Sequence, residues 1–250
     1  MRFLTALLLT LWIPSAEAQP TSAIYAFSWA GLDIGQVELR LTADADSYEL
    51  NWQSRTTGWF GTLFPFLSDG TATGRIEGKS YRPTAYTGRS EWRDGGSRWH
   101  VAFASDGRVS QVDVPPEDIA EREPVPLELQ VGPDPASLAL SAMSQAEPGF
   151  QLAAHSFDGR RAFAYDLSCA KAESGPAPPE LACTIGAQLL AGASRRWRAE
   201  SSDGSERKPI RVWLRRAGDG QYWPTLLEAD SRFGTVSARL VSMAPSPAAG

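Results

Sequence analysis

The chain has 250 residues, of which 42% are hydrophobic and 21% are charged, and its formal net charge is −5. This composition is typical of a soluble globular protein, and it excludes a disordered chain, a collagen-like fibre and a multi-span membrane protein. The negative net charge also disfavours general nucleic-acid binding, because the phosphate backbone requires a basic surface.

The first 18 residues predict a cleaved Sec-type signal peptide. Arg2 supplies a short basic region, Phe3–Ile13 is an apolar run, and Ala16–Ala18 is a small-x-small cleavage site. The apolar run is too short to span a bilayer. We therefore expect cleavage after Ala18, export to the periplasm, and a mature chain without a transmembrane span.

Apolar and polar residues alternate with a period of two along most of the chain, which predicts short antiparallel strands. The alternation is clearest at residues 36–42, 48–53, 99–103, 163–167, 210–215 and 236–240. Asp-Gly pairs between strand segments favour hairpin turns. We predict one mainly β domain over residues 19–243, an antiparallel meander curled into a barrel-like or half-barrel shell. Residues 244–250 are small and contain proline, and we expect a disordered tail.

One segment near the middle of the chain departs from the strand pattern. Asp134 is a potential N-cap, Pro135 suits the first position of a helix, and apolar residues then recur as far as Met143. We therefore predict a single short helix near residues 134–145, with strands before and after it.

The chain contains two cysteines, Cys169 and Cys183. In an exported protein, such a pair favours a structural disulfide over a metal or redox site. The bridge would close a proline-rich connection and would be worth about 3 kcal/mol in the loop-entropy description.

The sequence shows no catalytic or cofactor-binding signature. The segment Gly74–Ser80 is one residue short of a Walker A loop and leads into a strand, so we interpret it as a hairpin turn. His100 and His155 lack both the ligand cluster that a metal site needs and a nearby nucleophile motif. We therefore expect no metal, no cofactor and no enzymatic activity. A hydrolase acting on an envelope polymer is the least favoured alternative.

A series of short motifs resembles the DUF3108 family of exported bacterial proteins over about residues 22–242. The motifs are Tyr25-x-Phe27-x-Trp29-x-Gly31-x-x-x-Gly35, Thr56-Thr57-Gly58, Leu63-Phe64-Pro65-Phe66, Arg82-Pro83, Asp134-Pro135-x-Ser137, Phe157-Asp158-Gly159-Arg160-Arg161 and Phe233-Gly234-Thr235. The family has no assigned activity. The resemblance therefore implies a β-rich protein with a signal peptide, and it supplies no catalytic residue.

The inward-facing side chains of the first strands predict an apolar interior. They are Tyr25, Phe27, Trp29, Leu39, Tyr48 and Trp52. The leading hypothesis is therefore binding of an apolar or amphipathic envelope component inside the curled sheet or at its mouth, with Trp29 and Trp52 among the contacting residues.

Residues 58–66 interrupt the alternation with a group of aromatic and aliphatic side chains. One interpretation is a loop folded over the end of the shell as part of the core. The other is an exposed rim, formed by Trp59, Phe60 and Phe64, that contacts a lipid-like ligand or a membrane.

Two basic segments have both a binding interpretation and a structural one. Arg211, Trp213 and Arg215 share one strand face, which suits phosphate or carboxylate groups, or a protein partner, and makes an envelope scaffold the main alternative function. Cross-strand ion pairs and cation–π contacts are the structural interpretation. Similarly, Asp158 is expected to cap a turn, with a binding role for Arg160 or Arg161 as the alternative.

Overall fold

The structure, a computed structural model, describes residues 20–173, 180–195, 208–218, 220–231 and 233–245. The predicted signal peptide lies outside these residues, and so does the part of the predicted tail from residue 246 onward. Among the described residues, no helix is both long enough and apolar enough to cross a membrane.

A 13-stranded antiparallel sheet forms most of the molecule. Its strands are β1 (Thr21–Trp29), β2 (Leu32–Ala43), β3 (Ser47–Thr56), β4 (Phe66–Glu77), β5 (Ser80–Trp92), β6 (Gly95–Phe103), β7 (Val109–Asp113), β8 (Gln151–Phe157), β9 (Ala162–Lys171), β10 (Leu181–Ala191), β11 (Ile210–Arg216), β12 (Tyr222–Ser231) and β13 (Gly234–Pro245). The order β7-β6-β5-β4-β3-β2-β1-β13-β12-β11-β10-β9-β8 contains two meanders joined where β1 pairs with β13. The sheet is not closed, and its edges are β7 and β8. The predicted mainly β, antiparallel architecture is confirmed.

Three short α-helices accompany the sheet in the described part of the chain: α1 (Gly58–Leu63), α2 (Pro116–Ala120) and α3 (Pro135–Gln145). A 3₁₀ turn at Leu127–Leu129 lies between α2 and α3. The predicted central helix is α3, and the Asp134 side chain caps it by accepting hydrogen bonds from the backbone N–H groups of Ala136 and Ser137. The expectation of a single helix is wrong. Both α1 and α2 are too short to show helical periodicity in the sequence.

The last strand extends further than the sequence predicted. Residues Thr21 and Ser22 pair with Pro245 and Ala244, so the first two residues of the predicted tail belong to β13. Pairing with β1 stabilises an extended backbone there despite the small side chains and the proline, which is tolerated at a strand end.

Helix α3 lies inside the curl and is fixed to the inner face of the sheet. The backbone N–H of Tyr81 donates to Ser141 Oγ at 2.8 Å. The hydroxyl groups of Tyr48 and Ser137 share a buried hydrogen bond of 2.5 Å. These contacts place the largest buried cluster between α3 and β1–β6, with additions from β8, β9 and β12.

The turn between β8 and β9 packs directly against β6. Gly159 has a φ of +89°, and a Cβ at this position would lie 2.8 Å from Val101 Cγ2. Beside this turn, the linker that follows α2 forms a bridge between Arg122 and Ser194, just beyond β10. The two ends of the sheet therefore meet through turn and linker contacts.

A second buried cluster holds β9–β12 together. Cys169 on β9 and Cys183 on β10 are directly opposite each other and form the disulfide that the sequence predicted. Their neighbours in this cluster are Ala146, Leu181, Val212, Leu214 and Tyr222.

Candidate functional site

An apolar cavity of about 540 Å³ lies between α3 and the inner face of the sheet. Its sheet wall includes Tyr25, Phe27, Leu39, Leu50, Trp52 and Tyr86, and its helix wall includes Ala136, Ala139, Leu140 and Met143. The volume is within the range of small-molecule sites, which are mostly apolar and concave. Ala139 is exposed although it lines the cavity, so solvent reaches the cavity along α3.

The strand alternation explains how these side chains converge. Tyr25 and Phe27 are two residues apart on β1, while Leu39 of β2 is directly opposite Trp52 of β3. The hydroxyl of Tyr25 donates to the Pro224 carbonyl at 3.0 Å. Burial raises the pKa of both Tyr25 and Tyr86, so both phenols are neutral at physiological pH. The charged residue in the cavity lining is Glu228, which pairs with Arg211.

The predicted inward stripe divides into three groups. Tyr25, Phe27, Leu39 and Trp52 line the cavity. Tyr48 is buried, but it packs against Tyr81 with ring centroids 5.0 Å apart and is absent from the cavity wall.

Trp29 continues the same stripe to the end of β1, where it is 37% exposed. It pairs with Val236, which lines the cavity, and its ring contacts Phe233 edge-on. The structure therefore places Trp29 beside the cavity wall, at the end of the shell.

An aromatic row of Trp52, Tyr86 and Trp99 crosses β3, β5 and β6. The Trp52–Tyr86 and Tyr86–Trp99 ring centroids are 5.3 and 6.2 Å apart. The indoles require glycine beneath them. A Cβ at Gly70 would lie 2.2 Å from Trp52 Cζ2, and one at Gly88 would lie 2.4 Å from Trp99 Cζ2. Mid-strand glycines are the sequence signal for such close approaches.

A polar cleft of about 360 Å³ borders the aromatic row, and Trp52 and Tyr86 line both the cleft and the cavity. A row of cross-strand serines lies on the same strand faces, two residues away from Trp52 on β3 and from Trp99 on β6. Its members are Ser54, Ser68, Ser90 and Ser97, on β3, β4, β5 and β6. The last three line the cleft. The inner face therefore changes from apolar to hydroxyl-bearing within one step of the strand period.

Charged residues from the β8–β9 turn and from α2 face this serine row. The Arg160 guanidinium lies over the Trp99 ring, 4.1 Å from its centroid, and its Nη1 donates to Ser97 Oγ at 2.5 Å. The Ser97 hydroxyl in turn donates to the Asp118 carboxylate. Asp158, only 3% exposed, pairs with Arg161 Nη2 at 2.8 Å. It also accepts hydrogen bonds from the backbone N–H groups of Arg160 and Arg161, as expected of a turn cap.

Burial lowers the pKa of Arg160 and of Arg122, because a buried guanidinium loses hydration. The Arg161 charge contributes to the lowering in both cases, since it repels the other two cations. Three guanidinium groups are therefore concentrated in the cleft.

Helix α1 forms an exposed aromatic rim. Trp59 and Phe64 are 57% and 60% exposed, and Phe60 contacts both, at ring-centroid distances of 5.8 and 5.0 Å. Arg93 supports the helix by donating to the carbonyls of Thr62 and Leu63. The interpretation of this segment as a core plug is wrong, because Trp59 and Phe64 face solvent, Phe60 is only half-buried, and no residue of α1 is buried. We call Trp59, Phe60 and Phe64 the α1 rim.

The Arg211, Trp213 and Arg215 side chains lie on the outer face of β11, opposite the buried Val212 and Leu214. Arg211 Nη2 pairs with Glu228 at 3.1 Å and with Asp230 at 3.5 Å. Its guanidinium carbon is 6.0 Å from the Trp213 ring centroid. These contacts favour the structural interpretation of this face, because two carboxylates on β12 already neutralise Arg211.

The remaining sequence candidates are dispersed. His100 lies on β6 and His155 on β8. Across the described ranges, no group of three or more His, Cys, Asp or Glu side chains is placed to hold a metal ion. The segment Gly74–Ser80 contains the turn between β4 and β5, in agreement with the hairpin prediction.

Comparison with solved structures shows a likeness to the crystal structure of a beta-barrel-like protein of domain of unknown function DUF1849 from Brucella abortus. The TM-score is 0.52 at 14% sequence identity, and the alignment covers 93% of this chain and 100% of that chain. The likeness concerns the fold. No curated protein matches the chain. The model of the DUF3108 family, proteins of unknown function, matches residues 24–241, and the chain therefore belongs to that family.

Proposed function

We propose that this protein is an exported, non-enzymatic binding protein. It takes the apolar part of an amphipathic component of the cell envelope into the cavity between α3 and the inner sheet face. The observation that carries the proposal is the apolar cavity of about 540 Å³ between α3 and the sheet.

The size of the cavity suits an alkyl chain. Each buried methylene contributes about 0.8 kcal/mol, so a chain of about ten carbons offsets the entropy lost on association. The wall contains bulky aliphatic groups such as Leu39, Leu140 and Met143, which pack against a chain without demanding hydrogen bonds.

The α1 rim supports transfer of such a ligand from an apolar phase. Trp59 and Phe64 are exposed at the end of the shell where β1 and β3 finish and β2 begins, which is also the end that carries Trp29. Exposed aromatic groups at one end of a binding shell are suited to contact a membrane or a micelle. The scaffold alternative lacks comparable support, because Arg211 is already paired.

Export is supported by the Cys169–Cys183 disulfide, since such bridges persist in oxidising compartments. Mass spectrometry of the protein from its own periplasm tests this part of the proposal. The expected mature chain begins at Gln19 and has no free thiol. An intact N-terminus at Met1, or two free thiols detected without added reductant, would contradict export.

Calorimetric titration with a neutral monoacylglycerol tests the cavity. Ala139→Phe places a ring in the cavity from α3, whereas Ala120→Phe places one at an exposed position on α2, outside the cavity. We expect wild type and Ala120→Phe to bind with the same affinity and Ala139→Phe to bind at least tenfold more weakly. Equal affinities for all three, or no binding to the wild type, would contradict the proposal.

A further inference from the structure

Two residues that line the polar cleft carry buried hydrogen-bond donors for which the described part of the chain offers no acceptor. Arg160 Nε and Trp99 Nε1 are buried and have no hydrogen-bond partner. Both residues line the cleft. A buried donor without an acceptor costs about 1 to 3 kcal/mol, and more when the group is charged. A ligand that brings acceptor oxygens into the cleft would supply the kind of partner that these two N–H groups lack.

The acidic groups of the cleft act on Arg160 and Arg122 through space, but their direct contacts are with other groups. Asp158 is held by Arg161 and by two backbone N–H groups. Asp118 accepts from Ser97, and Glu121 is exposed. Arg122 donates Nη1 to the Gly192 carbonyl, which is uncharged. The positive charges of Arg122 and Arg160 are therefore the ones without a directly bonded carboxylate among the described contacts.

We infer that the cleft binds the anionic head group, a phosphate or a carboxylate, of the amphiphile whose apolar part occupies the cavity. This inference rests on the proposed function. Arg160 supplies a charge-assisted donor, and Ser90 of the serine row adds a hydroxyl group to the same cleft.

The aromatic row lies between the apolar cavity and the polar cleft. Trp52 and Tyr86 line both the cavity and the cleft, so a molecule that contacts these rings can direct its chain towards α3 and its head towards Ser97. The lowered pKa of Arg160 and Arg122 agrees with this arrangement, because a bound anion would compensate guanidinium groups that burial leaves under-solvated.

The test compares two ligands that differ only in the head group: monolauroylglycerol, which is neutral, and lauroyl lysophosphatidic acid, which adds a phosphate. Affinities are measured for the wild type, for Arg160→Gln and for Arg108→Gln. Arg108 lies on the β6–β7 connection, away from the cleft, and serves as the matched control. Melting curves verify that each variant is folded, and Arg122→Gln replaces Arg160→Gln should the latter not fold.

We expect the wild type and Arg108→Gln to bind the phosphate-bearing ligand at least about tenfold more tightly than the neutral one. Arg160→Gln should lose this preference and keep its affinity for monolauroylglycerol within about twofold. Equal affinity of the wild type for both ligands would overturn the head-group assignment and leave the proposed function standing. Absence of binding to both ligands would overturn the proposed function as well.

A further arm separates a lipid head group from a free anion. Inorganic phosphate alone is titrated into Ala139→Phe, in which the cavity is occupied by the introduced ring. We expect no saturable binding below millimolar concentration. Tight, saturable binding would assign the cleft to a free anion and overturn the link between the cleft and the cavity.

Discussion

The inner faces of β1–β6 and of β9–β11 show the same strand alternation, but they differ in what the inward side chains form. On β9–β11, the inward positions are Leu181, Cys183, Val212 and Leu214 with Cys169, all buried in one cluster and joined by a disulfide. On β1–β6, large rings over glycines border an unfilled cavity, and a row of serines follows. One part of the sheet is packed for stability, and the other keeps space and polar groups for a ligand.

This difference indicates how a single curled sheet divides its tasks. A filled cluster gains stability from every buried apolar group, whereas an open cavity forgoes part of that contribution. The disulfide lies in the filled part, and neither of its cysteines lines the cavity. Substitutions in the two parts should therefore separate loss of stability from loss of binding.

The largest effect on stability is expected from removal of the disulfide. Cys169→Ala with Cys183→Ala releases a bridge between residues 14 apart, which should lower the free energy of unfolding by about 3 kcal/mol. Affinity for the neutral monoacylglycerol should be unchanged at temperatures where the variant is folded. Urea denaturation and calorimetry measure the two quantities, and a parallel loss of both would show that the two parts of the sheet are not separable.

The aromatic row should be sensitive to a single methyl group. Gly70→Ala would bring a Cβ to 2.2 Å from the Trp52 ring and 2.3 Å from the Thr87 carbonyl, so we expect a loss of about 1 to 3 kcal/mol and weaker ligand binding. Gly186→Ala on β10 is the matched control, since its Cβ would meet nothing nearer than 3.8 Å. A Gly186→Ala variant as damaged as Gly70→Ala would contradict this account of the row.

Asp134 is buried and caps α3, the helix that lines the cavity. Asp134→Ala removes the acceptor for two backbone N–H groups and should lower the free energy of unfolding by about 1 to 2 kcal/mol. Asp134→Asn keeps an acceptor oxygen at the cap, so its loss should be smaller.

The same residue predicts a pH dependence. Burial raises the pKa of Asp134 in the folded state, so its contribution to stability is fully present below the unfolded pKa and is lost as pH rises through the folded pKa. Asparagine does not titrate. The free energy of unfolding of Asp134→Asn, relative to that of the wild type, should therefore increase from pH 3 to pH 7. Urea titrations at several pH values measure this difference, and a decrease over the same range would contradict the prediction.

The smallest effect on stability is expected at the α1 rim. Trp59→Asp with Phe64→Asp changes exposed side chains, so the free energy of unfolding should stay within about 0.5 kcal/mol of the wild-type value. Uptake of lipid from vesicles should nevertheless fall about tenfold. Val241→Asp, at an exposed position on β13, is the control. Unchanged uptake by the rim variant, measured by organic extraction, would remove the rim from the account.

The fold was predictable where local patterns determine it. Alternation indicated the antiparallel strands, Asp134 and Pro135 indicated the start of α3, and the cysteine pair indicated the bridge between β9 and β10. These features depend on neighbouring residues or on one pairing. Helix α1 was not predictable, because a single turn of helix between Thr57 and Phe64 leaves no periodicity to detect.

The candidate site was only partly predictable. Trp52 was assigned to the interior from the alternation of its own strand, and it lines the cavity. The cleft escaped prediction because Ser97, Asp118 and Arg160 come from separate segments that meet only through the curl. Likewise, the pairing of Arg211 with Glu228 depends on the register between β11 and β12, which one strand's sequence does not reveal.

Native mass spectrometry of the mature protein, purified from its own periplasm and followed by organic extraction, tests the central claim most directly. We expect an additional lipid-sized mass on the wild-type chain, an anionic amphiphile in the extract, and loss of that mass in Ala139→Phe. A bare polypeptide mass for the wild type, at a protein concentration where its fold is intact, would contradict the binding function.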